Sequence, residues 1–95
     1  MESGSSFDWD EENQKHIARH GVTPDEAEQV LANDPLDLER QDINGEERFA
    51  SVGLTDGGRW LLVVTTTREN KVRVVTAFDA GKRLVELYLD ERKAI

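Results

Sequence analysis

The spacing of apolar residues changes at Pro35, and this change constrains the fold more than any other feature of the sequence. Before Pro35, apolar residues and capping residues are spaced as in helices. After it, apolar residues alternate with polar ones, as in strands that bury one face. Turn signals at Asn44-Gly45, Asp56-Gly57-Gly58 and Glu69-Asn70-Lys71 separate these strands closely. Consecutive strands on tight turns predict an antiparallel meander with segregated helices, which is an α+β fold.

Two helices are predicted before the change of spacing. Asp10 offers an N-cap for a first helix over residues 11–19. The segment Thr23-Pro24-Asp25-Glu26 is the clearest local signal, because it combines a capping box with proline at the first helical position. The second helix is expected to end at Asn33-Asp34-Pro35.

The remaining elements follow from alternation and turns. A third helix is predicted from its N-cap, Asp79, to about Arg92. In the central strand we expect Trp60 or Leu62 to belong to the core, because this strand must cover the helices. We expect a disordered tail over residues 1–6 and a single domain over residues 7–95. The predicted strands cover residues 7–9, 36–38, 48–54, 60–67 and 72–78.

The net charge is −8, from 12 basic and 20 acidic residues, which argues against tight, sequence-blind binding to nucleic acid. The charge is distributed unevenly. Residues 1–47 hold 14 acidic and 3 basic residues, whereas residues 48–95 hold 6 acidic and 9 basic ones. The sequence therefore predicts a basic surface on the C-terminal half beside acidic N-terminal elements.

The chain contains no cysteine, so a disulfide scaffold and a cysteine-based metal site are excluded. The longest apolar run is Trp60–Val64, far short of the roughly 20 residues of a membrane helix. Residues 1–6 lack the basic and apolar stretches of a signal peptide. These features predict a cytoplasmic protein without a membrane partner.

A histidine pair is the one candidate for a metal site. His16 and His20 stand four residues apart on the first predicted helix and face the same way, and Glu12 precedes His16 by four. The alternative is an exposed polar helix face, because spacing fixes no third ligand. We therefore predict no metal site and no cofactor.

A second candidate site is a cluster of basic residues. Arg48 opens one strand, Arg68 closes the next and Arg73 lies in the last, while Lys82 and Arg83 begin the final helix. Ribonuclease chemistry needs cations for the pentacoordinate phosphate and a base for the ribose 2′-hydroxyl. We expect Arg48, Arg73, Lys82 and Arg83 to form one patch. The alternative is that they solubilise an exposed sheet face and pair with acids.

Several segments of the chain form a pattern that is found in a known family. They are Phe7-Asp8-Trp9-Asp10-Glu11-Glu12-Asn13, residues His16 to Glu26, Arg48-Phe49, the hairpin from Gly53 to Val64, and Val72-Arg73-Val74-Val75-Thr76-Ala77. With these segments the chain resembles BrnT-like proteins, small toxins of bacterial type II toxin–antitoxin pairs with a RelE-like fold. The resemblance covers about residues 7–88.

The resemblance implies an antiparallel sheet with two N-terminal helices and one C-terminal helix. It also implies ribonuclease activity without metal and an antitoxin partner that is often a ribbon–helix–helix DNA-binding protein. His20 matches the family's His-Gly and is the expected general base, while Arg48 and Arg73 match basic positions and are expected to hold phosphate. RNA and a second copy of the chain are the other partners considered. Further RNA contacts are expected from Arg68, Lys82, Arg83 and Tyr88.

Two positions depart from the family pattern. The last strand of the family usually ends in Ser/Thr-Ala-Arg, but here Phe78 follows Thr76-Ala77. Leu84-Val85 replaces a Glu-Arg pair, although Tyr88 matches. Losing one cation beside the scissile phosphate costs on the order of 10²–10³ in rate. The sequence therefore predicts a weakened or inactive ribonuclease, with a non-catalytic protein-interaction module on the same scaffold as the rival.

Overall fold

The computed structural model describes residues 6–93 and places three helices around a five-stranded antiparallel sheet. The predicted α+β class, with two helices before the sheet and one after it, is confirmed. The predicted tail, residues 1–6, lies outside the described residues except for Ser6. The elements are α1 Glu11–Ala18, α2 Pro24–Ala32, β1 Leu36–Asp37, β2 Gln41–Ile43, β3 Glu46–Leu54, β4 Trp60–Arg68, β5 Lys71–Asp79 and α3 Lys82–Lys93.

Both N-terminal helices begin at the predicted caps. Asp10 Oδ1 accepts a hydrogen bond of 3.1 Å from the Asn13 N–H, and Asn13 Oδ1 accepts one of 2.9 Å from the Asp10 N–H. Thr23 and Glu26 form the same reciprocal pair at the start of α2. Each box satisfies backbone donors that have no partner within the helix, so local sequence alone fixes where α1 and α2 start.

The sheet has the strand order β1-β3-β4-β5, and β2 pairs with the other end of β3. Asn44 and Gly45, with φ of 52° and 81°, turn the chain from β2 into β3. Glu69 and Asn70, with φ of 53° and 66°, do the same between β4 and β5. Two consecutive residues with positive φ match the twist of a tight antiparallel hairpin. The turns that the sequence predicts at these positions therefore connect consecutive strands into an antiparallel meander.

The predicted first strand is reduced to one parallel bridge between Phe7 and Val72. The Val72 N–H donates to the Ser6 carbonyl and the Asp8 N–H donates to the Val72 carbonyl, both at 2.8 Å. A longer strand cannot form because Asp10 already caps α1. The bridge places the acidic start of α1 beside the edge strand β5.

The main core lies on the sheet face that α1 and α2 cover. The expectation that Trp60 or Leu62 belongs to this core is wrong. Leu61 and Val63 are fully buried against the helices, whereas Trp60 and Leu62 point to the opposite face and are partly exposed. Because residues 60–64 are all apolar, alternation could not show which face is inward. The core consists of Ile17, Val22, Ala27, Val30, Leu61, Val63, Val74 and Ala77.

The opposite face of the sheet is only half covered by α3. The rings of Trp60 and Tyr88 meet edge to face with centroids 5.0 Å apart, and the Tyr88 hydroxyl donates to the Asp34 carbonyl at 3.3 Å. The half away from Trp60 is covered by no helix of residues 6–93, and we call it the open face. By strand register it presents Arg48, Ala50, Leu62, Val64, Thr66, Arg73 and Thr76.

Candidate functional site

A groove of about 670 Å³ lies on the open face, between α1 and strands β3, β4 and β5. The pairing of Thr66 with Arg73 places both side chains on this face, and a bulge after Val64 shifts the register of β5 there. We call it the arginine groove, because its lining includes Arg19, Arg48, Arg68 and Arg73, together with His16 and Thr76.

Arg73 holds the N-terminus of α1 against β5. Its side chain is 10% exposed. The guanidinium donates to both carboxylate oxygens of Asp10, at 2.9 and 3.2 Å, and lies 3.4 Å from Asp8 and 3.5 Å from Glu12. The hydrogen bond to Asp10 raises the pKa of Arg73 and lowers that of Asp10. Arg73, which the resemblance implies would hold phosphate, is therefore already bound to carboxylates.

The other three arginines of the groove differ in how closely they pair with carboxylates. Arg48 donates from Nε and Nη2 to Glu46 Oε1, at 3.2 and 3.0 Å, and its side chain is 32% exposed. Arg68 lies 4.0 Å from Asp8. Arg19 makes no ion pair with any residue between 6 and 93. Arg19 and Arg68 are therefore the cations most available to a ligand, whereas Arg48 must first leave Glu46.

Carboxylates balance the positive charge of the groove. Glu12 and Glu46 line it beside the arginines, and Asp8 and Asp10 lie directly behind Arg73. The four arginines thus face four carboxylates, and attraction for a polyanion is weaker than the number of arginines suggests. The asymmetry between chain halves does not become a separate basic surface, because the Phe7–Val72 bridge brings the acidic N-terminus beside β5.

His16, rather than His20, lines the arginine groove. His16 Nε2 lies 3.0 Å from Thr76 Oγ1, and the ring is partly buried. His20 is exposed, and its ring contacts those of His16 and Phe78 with centroid distances of 5.7 Å each. The sequence indicated a role for His16 only as a candidate metal ligand. Its spacing of four from His20 placed both rings on one helix face, but gave no sign that Thr76 would meet the first of them.

Lys82 and Arg83 lie away from the groove, so the expectation of one patch with Arg48 and Arg73 is wrong. Arg73 is near the beginning of β5 and Lys82 follows its end. The six residue-to-residue steps from Arg73 to Asp79 alone span about 20 Å of extended strand. Tyr88 is also at that end, where it packs on Trp60 and lies 4.5 Å below the Arg92 guanidinium carbon.

The side chains of the candidate metal site have other partners. Glu12 Oε1 lies 3.5 Å from Arg73, and His16 Nε2 contacts the Thr76 hydroxyl. Within residues 6–93, no group of three His, Cys, Asp or Glu side chains is arranged to hold a metal ion. What the groove offers chemically is an imidazole beside a hydroxyl, surrounded by guanidinium groups.

Comparison with known proteins assigns the family. No curated protein sequence matches the chain. No helix in the described part of the chain is long and apolar enough to cross a membrane. The family model described as "Ribonuclease toxin, BrnT, of type II toxin-antitoxin system" matches residues 9–83, which include every residue of the arginine groove. The chain therefore belongs to the BrnT family of ribonuclease toxins of type II toxin–antitoxin systems.

Proposed function

We propose that this chain is a toxin that cleaves RNA in the arginine groove, without metal and at a reduced rate. One observation carries the proposal: His16 Nε2 lies 3.0 Å from Thr76 Oγ1 in a groove that four arginines line. Imidazole can accept a proton near neutral pH, and guanidinium groups match phosphate oxygens in geometry and charge. Both requirements of RNA cleavage by the ribose 2′-hydroxyl meet in one place.

The reaction we propose is internal transesterification. His16 Nε2 accepts the proton of the 2′-hydroxyl, and the 2′-oxygen forms a bond to phosphorus. The bond from phosphorus to the 5′-oxygen breaks, and the departing oxygen takes up a proton from solvent, while the His16 imidazolium returns its proton to solvent. The products are a 2′,3′-cyclic phosphate and a 5′-hydroxyl. Arg48 and Arg68 bind the nonbridging oxygens, where negative charge develops in the transition state.

His20 and Arg73 keep roles in this proposal, but less direct ones. His20 is a second candidate base, because it lies one helical turn from His16 and its ring touches that ring. Arg73 would reach phosphate only by exchanging Asp10 and its other carboxylate partners for it. Lys82, Arg83 and Tyr88 lie past the end of β5, so they would contact only an RNA long enough to leave the groove and also cross α3.

Two features support reduced activity. Phe78 stands where the family usually has arginine, and it lies on the open face two residues beyond Thr76, a separation of about 7 Å along a strand. An arginine there would reach the phosphate held beside Thr76. The phenyl ring instead packs against His20. The groove arginines are also balanced by carboxylates, which weakens their hold on the transition state.

The decisive experiment is an RNA cleavage assay in low salt, run with and without a chelator. We expect Phe78→Arg to raise the rate at least about tenfold, toward the 10²–10³ that one transition-state cation supplies. Phe78→Met is the matched control, since it removes the ring without adding charge, and it should leave the rate unchanged. Equal gains in both variants would show that the ring only obstructs the groove. Loss of cleavage on adding the chelator would contradict the metal-free mechanism.

The second candidate function is a non-catalytic interaction module, and the saturation of Arg73 by carboxylates favours it. This reading predicts no cleavage by the wild type or by Phe78→Arg, with tight binding of a protein partner to both. Cleavage by either protein, abolished by Arg48→Ala, would exclude it.

The partner we propose is an antitoxin, which the type II family implies. The resemblance favours a ribbon–helix–helix DNA-binding protein, encoded by the adjacent reading frame and present with this chain in the cytoplasm. Co-expression of both frames with a tag on one should co-purify the two proteins. Sedimentation of each protein alone and of the complex would show whether this chain also forms a homodimer.

A further inference from the structure

A second groove, of about 460 Å³, adjoins the arginine groove on the open face. Its floor is formed by Ala50, Leu62 and Val64, which are partly exposed. Arg48 and Thr76 line both grooves, so the two cavities meet at these side chains. We call the second cavity the apolar groove. A ligand with a charged group beside Arg48 and a flat apolar part over Leu62 would occupy both at once.

The rim of the apolar groove carries two polar side chains, Glu39 and Gln41. Gln41 pairs with Arg48 across β2 and β3, which places its side chain on the open face. The Glu39 carboxylate makes no ion pair or hydrogen bond within residues 6–93.

The arginine next to Glu39 in sequence and the arginine that lines the same groove are both paired with other glutamates. Arg40 lies 3.0 Å from Glu47, and Arg48 lies 3.0 Å from Glu46. The apolar groove therefore has an apolar floor, and the Glu39 carboxylate at its rim is a hydrogen-bond acceptor without a partner in residues 6–93. A carboxylate accepts hydrogen bonds through two oxygens, so the complementary ligand carries donors at its own edge.

We propose that the apolar groove seats a guanine base, adjacent to the phosphate held in the arginine groove. This rests on the proposed ribonuclease function and specifies the substrate of the same site. Guanine presents two neighbouring donors, N1–H and the 2-amino group, which match the two oxygens of Glu39. Adenine and cytosine each offer one amino donor beside an acceptor. Uracil offers N3–H between two carbonyl oxygens, which a carboxylate repels.

Two further observations favour a nucleotide base over a protein segment as the occupant. The groove volume lies near the lower end of the range for small-ligand pockets. It also opens directly onto the arginines that would hold the phosphate of the same nucleotide. Single-stranded RNA is read through base edges and by packing of the base face, and this groove offers a surface for each.

The test is binding of the four nucleoside 3′-monophosphates to the wild type, Glu39→Gln and Glu86→Gln. We expect the wild type to bind 3′-GMP about tenfold or more tightly than the other three, as one bidentate pair provides. Glu39→Gln should abolish this preference. Glu86 is an exposed glutamate of α3 without an ion pair in the described chain, so Glu86→Gln controls for loss of one charge. Val64→Thr places a hydroxyl in the floor and should weaken all four nucleotides.

Equal affinity of the wild type for the four nucleotides, or a guanine preference that survives Glu39→Gln, would overturn the proposal. RNA cleavage without guanine selectivity would overturn the proposed guanine site and leave the ribonuclease function intact. Guanine-selective binding without RNA cleavage would overturn the ribonuclease function and leave the guanine site intact. No nucleotide binding, combined with loss of antitoxin binding in Glu39→Gln and Val64→Thr, would assign the groove to the protein partner and overturn the proposal.

Discussion

Arg73 donates to both carboxylate oxygens of Asp10, at 2.9 and 3.2 Å, across 63 residues of sequence. Asp10 is also the N-cap of α1, so the same carboxylate starts the helix and attaches it to β5. The helix carries His16 and the strand carries Thr76. The pair therefore fixes the two elements whose side chains meet in the arginine groove, and the positive charge of Arg73 is used for this purpose.

The first prediction is a pH dependence of stability that comes from Asp10. Arg73 holds the pKa of the Asp10 carboxyl below its ordinary value of 3.8. Because the pKa is lower in the folded state, the pair stabilises the fold above that value and stops doing so as the pH falls through the folded pKa. We expect the melting temperature of the wild type to fall as the pH is lowered from about 5 towards 2. Asp10→Asn should be less stable at neutral pH and lose less on acidification.

Circular dichroism melts at each pH are the measurement, and Asp90→Asn is the matched control. Asp90 is exposed on α3 and makes no ion pair in residues 6–93, so its replacement should leave the acid dependence of the wild type unchanged. Identical profiles for Asp10→Asn and the wild type would show that the pair contributes nothing to stability.

The second prediction separates the two faces of β4. Leu61 is fully buried against α1 and α2, so Leu61→Ala should lower the free energy of unfolding by about 2–5 kcal/mol. Leu62 is partly exposed on the open face, and Leu62→Ala should cost about 1 kcal/mol. Urea denaturation of both variants is the measurement. A larger loss for Leu62→Ala would show that α3 closes over the open face in solution.

The elements could be predicted from the sequence because their signals are local. The Thr23 and Asp10 caps and the turns at Asn44-Gly45 and Glu69-Asn70 depend on neighbours within a few residues. The face of β4 could not be predicted, since the run from Trp60 to Val64 is apolar throughout. Helices α1 and α2 cover one face of the strand, and α3 covers one end of its opposite face. Only this tertiary packing shows which residues of the strand face the core.

The candidate site was predictable only in part. Arg48, Arg68 and Arg73 could be named from alternation in three consecutive strands, and they do line one groove. Lys82 does not join them, because most of the length of β5 separates it in space from Arg73, although the two residues are close in sequence. The contact of His16 with Thr76 joins residues 60 apart, and no spacing rule reaches that far.

The third prediction concerns which cations attract RNA. Arg19 lines the arginine groove and makes no ion pair within residues 6–93, whereas Lys82 lies past the other end of β5. Arg19→Ala should reduce the slope of log K against log salt by about 0.7, the value for one contact with single-stranded nucleic acid. Lys82→Ala should leave the slope nearly unchanged. The measurement is a fluorescence anisotropy titration of a short single-stranded RNA at several salt concentrations. Equal effects of the two variants would place the RNA across α3 as well.

The last prediction distinguishes the two histidines as bases. His16 lies in the groove at 3.0 Å from Thr76, whereas His20 is exposed and packs on Phe78. We expect His16→Gln, made in the Phe78→Arg background where cleavage is fastest, to reduce the rate by about 10²–10⁴, the usual contribution of a positioned base. His20→Gln in the same background should change the rate by less than about tenfold. Replacing the ring that accepts the proton should also abolish the rise of the rate with pH, while the other variant keeps it. If His20→Gln alone abolished both cleavage and that rise, His20 would be the base, as the family resemblance implies, and His16 would only support its ring.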